Sequence, residues 1–181
     1  MTIQPLETKY KGYRFRSRTE ARWAVFFDSL GIKYEYEKEG YKLKSGCYLP
    51  DFWLPDYKYW IEIKGIEPTK EELSKMEELR ETTEFPAILF FGYPEVNKTG
   101  FIFCCEIGDS GGGDYFGKDA VFGECMLCYK VDIKLIKLQR EILTLNFQST
   151  GICHCNVNCL YCESPRIREA VEKSKEERFY Q

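Results

Sequence analysis

A chain of 181 residues with 44% hydrophobic and 16% aromatic content can bury one core, and is too apolar to be a disordered tail. Its formal net charge of -3 excludes a histone-like polycation, while leaving room for a local basic patch. The opening "MTIQPLETKYKG" has no apolar leader segment, and the longest apolar runs, "AILFF" and "FIFCC", fall far short of the ~20 residues that span a bilayer. The expectation is a cytoplasmic protein with no membrane partner, whose nine cysteines are reduced thiols or metal ligands rather than a disulfide framework.

In chain order, "KYKGYRFRSR" comes first. Lys9, Lys11, Arg14, Arg16 and Arg18 occur with no acid among residues 9–18 and with aromatics between them, a pattern suited to phosphate contact or to a solubilising arm. Ser17 then precedes "RTEARWAVFFDSLG", with Glu20 three residues on and Gly31 just past the end. These are a capping-box start and a glycine stop, and they predict a helix over 18–30. Positions 20, 23, 24, 27 and 30 share one face, so Glu20 ends a stripe of Trp23, Ala24, Phe27 and Leu30 and looks toward the core.

The stretch "GIKYEYEKEGYKL" alternates like a strand, and two further strands follow at about 48–54 and 59–64, joined by the turn-like "PDYK". Alternation puts Leu49, Asp51 and Trp53 on one side, and Trp60, Glu62 and Lys64 on one side of the next strand. A hairpin centred on that turn sets Trp53 opposite Trp60 and Asp51 opposite Glu62. Facing acids repel, so a cation belongs between them. Lys64 supplies one charge, and a divalent metal neutralises both carboxylates more completely. Such a set suits phosphodiester hydrolysis, with two acids holding Mg²⁺ or Mn²⁺ and a lysine orienting water or stabilising developing charge. Three plainer readings stand beside this one. Glu20 serves as the capping acid of Ser17, Glu62 and Lys64 as an edge-strand ion pair, and Asp51 as a turn residue.

Pro50-Asp51 followed by Glu62-Ile63-Lys64 resembles the signature of the PD-(D/E)XK nuclease superfamily, and "FRSRTEARWAVFFDSLGI" resembles the preceding helix in its phage and bacterial members. The core resemblance spans about residues 12–93. It implies an α/β, restriction-endonuclease-like mixed sheet flanked by helices, a Mg²⁺-dependent DNA endonuclease, and the cytoplasm of a bacterium or phage-infected host. By the same resemblance Asp51 and Glu62 are metal ligands, Ile63 a backbone-carbonyl ligand, Lys64 the catalytic lysine and Glu20 the accessory acid. Cutting both strands from a single site calls for a homodimer or two binding events. A catalytically idle nucleic-acid-binding module and a protein-interaction factor of phage or mobile-element origin are the competing functions.

Beyond the lysine, Thr69 and Glu72 form a capping box for a helix with a Leu73, Met76 and Leu79 stripe, whose seven glutamates in residues 67–84 make an acidic, solvated face. "FPAILFFGYP" reads as a buried strand. "GDSGGGDYFG" lacks the lysine and Ser/Thr of a phosphate-binding loop and reads as a connector. "CMLC" at 125–128 and "CHCNVNCLYC" at 153–162 flank a strand-like segment, the pattern of a zinc ribbon, with Cys125, Cys128, Cys159 and Cys162 the favoured Zn²⁺ ligands by spacing. Cys153, His154 or Cys155 is able to replace one of them. Cys47, Cys104 and Cys105 read as buried apolar residues. Ser164-Pro165, with Ile167, Ala170 and Val171 at helical spacing, predicts a C-terminal helix packed on the core. The expected organisation is a core over 1–100, a zinc-ribbon-like β appendage over 101–163 and the helix over 164–181.

Overall fold

The computed structural model describes residues 6–105, 114–125, 127–135 and 160–179. Strands β1 (Thr8–Tyr10) and β2 (Tyr13–Phe15) pair antiparallel through a two-residue turn in which Lys11 and Gly12 both have positive φ, 45° and 85°. That turn matches the twist of the strands it joins, so the basic arm is a small hairpin.

Helix α1 (Arg18–Leu30) starts and stops where its caps dictate. The Ser17 side chain accepts from the Glu20 N–H, and Gly31, at φ 71°, donates to the Asp28 and Phe27 carbonyls. Glu20, Trp23, Ala24, Phe27 and Leu30 are all buried, as the stripe requires. Helix α2 (Lys70–Thr83) carries the complete Thr69–Glu72 capping box. Helix α3 (Pro165–Glu176) begins at Ser164, whose side chain accepts from the Ile167 N–H.

The alternating stretches differ from expectation in one respect. Residues 31–43 form two strands instead of one, β3 (Glu35–Tyr36) and β4 (Tyr41–Leu43), because Glu37 turns the chain at φ 46°. The expected strand 48–54 is likewise divided into β5 (Gly46–Tyr48), which pairs with β4, and β6 (Phe52–Leu54), which pairs with β7 (Tyr59–Lys64). Pro50 lies at the break, where its missing N–H cannot extend a ladder.

β7 and β8 (Ala87–Phe91) run parallel, linked by α2 as a parallel pair requires. Among the described residues, β9 (Gly100–Cys105), β10 (Asp114–Cys125), β11 (Val131–Leu135) and β12 (Leu160–Tyr161) complete an eight-stranded mixed sheet of order β11-β10-β9-β8-β7-β6-β3, with β12 on β10. The molecule is therefore α/β. The described strands after residue 100 hydrogen-bond into the same sheet as the core. Asp114–Gly117, expected within the connector, belongs to β10, and the glycines at 111–113 lie outside the described residues.

Alternation along the strands builds two cores. On one face Ile61, Ile63, Ile88, Phe90 and Phe122 pack against Trp23 and Phe27 of α1 and Ile167, Ala170 and Val171 of α3. On the other, Trp53, Trp60, Leu89 and Phe103 pack against Met76 and Leu79 of α2. Each large side chain fully removed from water contributes about 1.5–3 kcal/mol, so β7, buried on both faces from Tyr59 to Ile63, is anchored from both sides. Cys104 is buried as expected, whereas Cys47 is exposed, because the β4–β5 hairpin stands outside the main sheet. The side chain of Cys105 lies outside the described residues. Among the described residues no helix is long and apolar enough to cross a membrane.

Candidate active site

The β6–β7 register is Phe52↔Ile61, Trp53↔Trp60 and Leu54↔Tyr59, which sets Asp51, one step before β6, opposite Glu62. At that step side chains take over from the backbone ladder. The Asp51 N–H donates to Glu62 Oε2 at 3.2 Å, and the Ile63 N–H donates to Asp51 Oδ2 at 2.7 Å. Both carboxylates are only 2% exposed. The structure thus brings the two acids together as the alternation required.

Two cations answer their repulsion. Lys64, the last residue of β7, places Nζ 2.8 Å from Glu62 Oε1 and 3.6 Å from Glu72 Oε1 of α2. Arg16, just before the N-cap of α1, places Nη2 2.6 Å from Asp51 Oδ1 and Nε 2.7 Å from Glu37 Oε1. Glu20 does not close the expected capping box, because its carboxylate takes the Ser17 hydroxyl and the Arg16 N–H instead of the Ser17 N–H. Its Oε1 accepts from the Ser17 hydroxyl at 2.6 Å, and its Oε2 accepts from the Tyr36 hydroxyl at 2.6 Å and the Arg16 N–H at 3.1 Å. It also lies close enough to Asp51 to raise that residue's pKa.

Burial first, then the charges of Glu62 and Glu20, push the Asp51 carboxyl well above the usual carboxylate range, against the opposing Ile63 N–H and Arg16. Burial acts against the Lys64 ammonium, but the charge and hydrogen bond of Glu62, with Asp51 and Glu72, hold its pKa above the ordinary lysine value. Tyr48 is pushed up by burial and by Glu62 and Asp51, so it stays protonated. Among the described residues, five acids (Glu20, Glu37, Asp51, Glu62 and Glu72) therefore surround two cations, Arg16 and Lys64. The cluster has an excess of negative charge in a largely dry setting, where an added cation is attracted strongly.

Sequence reasoning did not find Tyr36, Glu37, Tyr48 or Glu72 as neighbours of this cluster, and had Arg16 only as part of the basic arm. The sequence pattern puts Glu72 on the solvated face of α2. A capping acid sits at the first turn of its helix, and here that turn ends beside β7. The basic arm is more neutralised than its sequence implied. Lys11 pairs with Asp28 at 3.1 Å, Arg14 pairs with Glu7, and Arg16 pairs with Asp51 and Glu37. Lys9 and Arg18 are exposed.

At the end of β10, the N–H groups of Leu127 and Cys128 both donate to Cys125 Sγ at 3.4 Å, while the Tyr129 N–H donates to the Cys125 carbonyl at 2.8 Å. Two amides are thus aimed at one sulfur. β12 pairs with β10 through Cys125↔Leu160, which brings the strand leading into Cys162 alongside this turn. Cys153, His154, Cys155 and Cys159 lie outside the described residues.

Among the described residues, no three His, Cys, Asp or Glu side chains group as a self-contained metal site. Magnesium-type sites draw much of their oxygen shell from carbonyls and water, so two carboxylates are a sufficient side-chain complement. No protein-family model matches the chain, and no curated protein matches it.

Proposed function

We propose that this protein is a metal-dependent endonuclease of the PD-(D/E)XK type that hydrolyses DNA phosphodiester bonds. The observation that carries the reading is the meeting of two buried acids, Asp51 and Glu62, with a lysine on the same sheet face that is still 29% exposed to solvent. The donor set fits a hard divalent cation, because facing carboxylate oxygens with too little positive charge around them are what Mg²⁺ or Mn²⁺ binds. Asp51, Glu62 and the Ile63 carbonyl would hold it. The ion, when bound, supplies Lewis-acid neutralisation of the phosphoryl charge.

The chain's own residues supply the rest. The Ile63 N–H fixes one oxygen of Asp51, and the Asp51 N–H fixes one oxygen of Glu62, so neither carboxylate rotates freely. Lys64, held protonated by Glu62, is a charged donor at the solvent edge of the cluster, placed to orient water or to stabilise developing negative charge. Glu72 positions the other side of that ammonium. Glu20 and Tyr36 tie the start of α1, and with it Arg16, to the cluster.

One observation favours a second reading, an idle nucleic-acid-binding module. Every oxygen of Asp51 and Glu62 already has a protein partner, as in an ion-pair network that needs no metal. The experiment that separates the two compares wild type with Lys64→Ala and Asp51→Ala on linear, nicked, single-stranded and branched DNA, in Mg²⁺, Mn²⁺ or EDTA. Metal-dependent cutting lost in both variants is the expected result. Salt-sensitive DNA binding without cutting on any substrate would favour the idle module, and no binding at all would favour a protein-interaction role.

We also propose, on cysteine spacing, a structural Zn²⁺ held by Cys125, Cys128, Cys159 and Cys162, although the described Cys125, Cys128 and Cys162 do not by themselves group as a metal site. The paired N–H groups on Cys125 Sγ support this reading, since such amides stabilise a ligating thiolate.

A further inference from the structure

Arg16 is unusual among the cations of this cluster. Lys64 is attached to the strand that carries Glu62, whereas Arg16 reaches Asp51 from another element, across 35 residues of sequence. Its backbone is pinned, because its N–H lies between Glu20 Oε2 at 3.1 Å and the Tyr36 hydroxyl at 3.0 Å. It is not pinned in the same way beyond the backbone, since the side chain is 52% exposed while that of the acid it touches is 2% exposed. It forks between two acids of different depth. Nη2 takes the buried Asp51 Oδ1, and Nε takes Glu37 Oε1, which is 28% exposed on its side chain.

Glu37 is itself built into the site. It sits at φ 46°, and its N–H donates to the Asp51 carbonyl at 2.8 Å, so the shallow acid is fastened to the backbone of the deep one. A guanidinium can leave Asp51 Oδ1 without losing its other ion pair or being dragged into a dry interior. The oxygen it covers is the one that the Ile63 N–H leaves open, since that amide takes Oδ2.

We propose that Arg16 is the resident counter-cation of Asp51, a displaceable gate that competes with the divalent metal for Oδ1 and rests on Glu37 when the metal enters. This rests on the metal-dependent reading above. Arg16 acts through Asp51, as a positioning residue, and balances the buried charge while the metal is absent. Its release also leaves a half-exposed guanidinium, suited to a phosphate oxygen, beside the loaded site.

The test is Mn²⁺ binding to the full-length, metal-stripped protein by isothermal titration calorimetry, with Asp51→Asn defining the binding that belongs to this site. Arg16→Gln is expected to tighten the Asp51-dependent affinity roughly tenfold, the factor that removing about 1.4 kcal/mol of competition gives. Unchanged or weaker affinity overturns the gate. Because the variant can fail to fold, wild type is followed in parallel by nitrogen-detected NMR of arginine side chains during a Mg²⁺ titration. Loss of the paired Arg16 Nη signal with retention of its Nε–H signal is expected, and an unchanged Nη signal at metal saturation overturns the gate. If wild type and Arg16→Gln bind no metal that depends on Asp51, the metal reading itself is refuted and the gate falls with it.

Discussion

Asp51→Asn should inactivate the protein and yet make its metal-free form more stable. A carboxyl whose pKa is raised on folding holds its proton more tightly in the folded state, so its ionisation opposes folding. That penalty is absent below the ordinary value of 3.8, grows as pH rises toward the raised folded value, and is fully present above it. Asparagine keeps the shape and removes the charge. Its amide oxygen still accepts from the Ile63 N–H, now as a neutral bond weaker by about 1 kcal/mol. The half-exposed Arg16 keeps Glu37, so its lost pair with Asp51 costs about 0–1 kcal/mol and strands no buried charge. Both losses oppose the upward shift of the Asp51 pKa, which prevails over them. The variant should therefore be more stable than wild type at pH 7 in EDTA. Urea unfolding measures this. The gain should shrink as pH falls toward 4. It should also reverse in excess Mg²⁺, where wild type alone gains about 1.4 kcal/mol at ten times its Kd. An Asn variant less stable than wild type in EDTA at pH 7 would refute the account of a buried cluster short of positive charge.

Tyr36→Phe removes the donor to Glu20 Oε2 and the hydroxyl beside the Arg16 N–H, and should cost about 1–3 kcal/mol in urea unfolding. A loss within error would show that Glu20 is held by the Ser17 hydroxyl and the Arg16 N–H alone. Gly100→Ala should destabilise by about 1–3 kcal/mol, because an added Cβ comes within 2.8 Å of the Phe90 ring and 2.9 Å of Ile88 Cγ2 in the sheet core. Unchanged thermal unfolding of that variant would mean that β8 and β9 yield at this point. The protein as isolated should hold one zinc per chain by elemental analysis, lost in Cys125→Ser and Cys128→Ala. A variant that keeps full zinc places the ion on other cysteines.

Local signals were sufficient for whatever depends on neighbours in the chain. Ser17 with Gly31, Thr69 with Glu72, and Ser164 with Pro165 each satisfy or remove end groups of their own helix, so the starts of α1, α2 and α3 and the end of α1 were legible, whereas α3 ends at Glu176, short of the 164–181 expected. The pairing of Asp51 with Glu62 was also legible, because the turn between β6 and β7 fixes the register and period-two alternation fixes the face. Division of the alternating segments was harder to foresee. Glu37 adopts a positive φ where its N–H finds the Asp51 carbonyl, a partner 14 residues away that no local pattern announces. Only the tertiary structure decided which charges complete the cluster. Arg16 and Glu20 arrive from the start of α1, Tyr36 and Glu37 from the edge of the sheet, and Glu72 from the helix on the opposite face. The sequence by itself determined the elements and the two facing acids; the packing of α1 and α2 at the end of β7 determined their counter-charges, because ion pairs are set by distance in space and leave no periodicity in the chain.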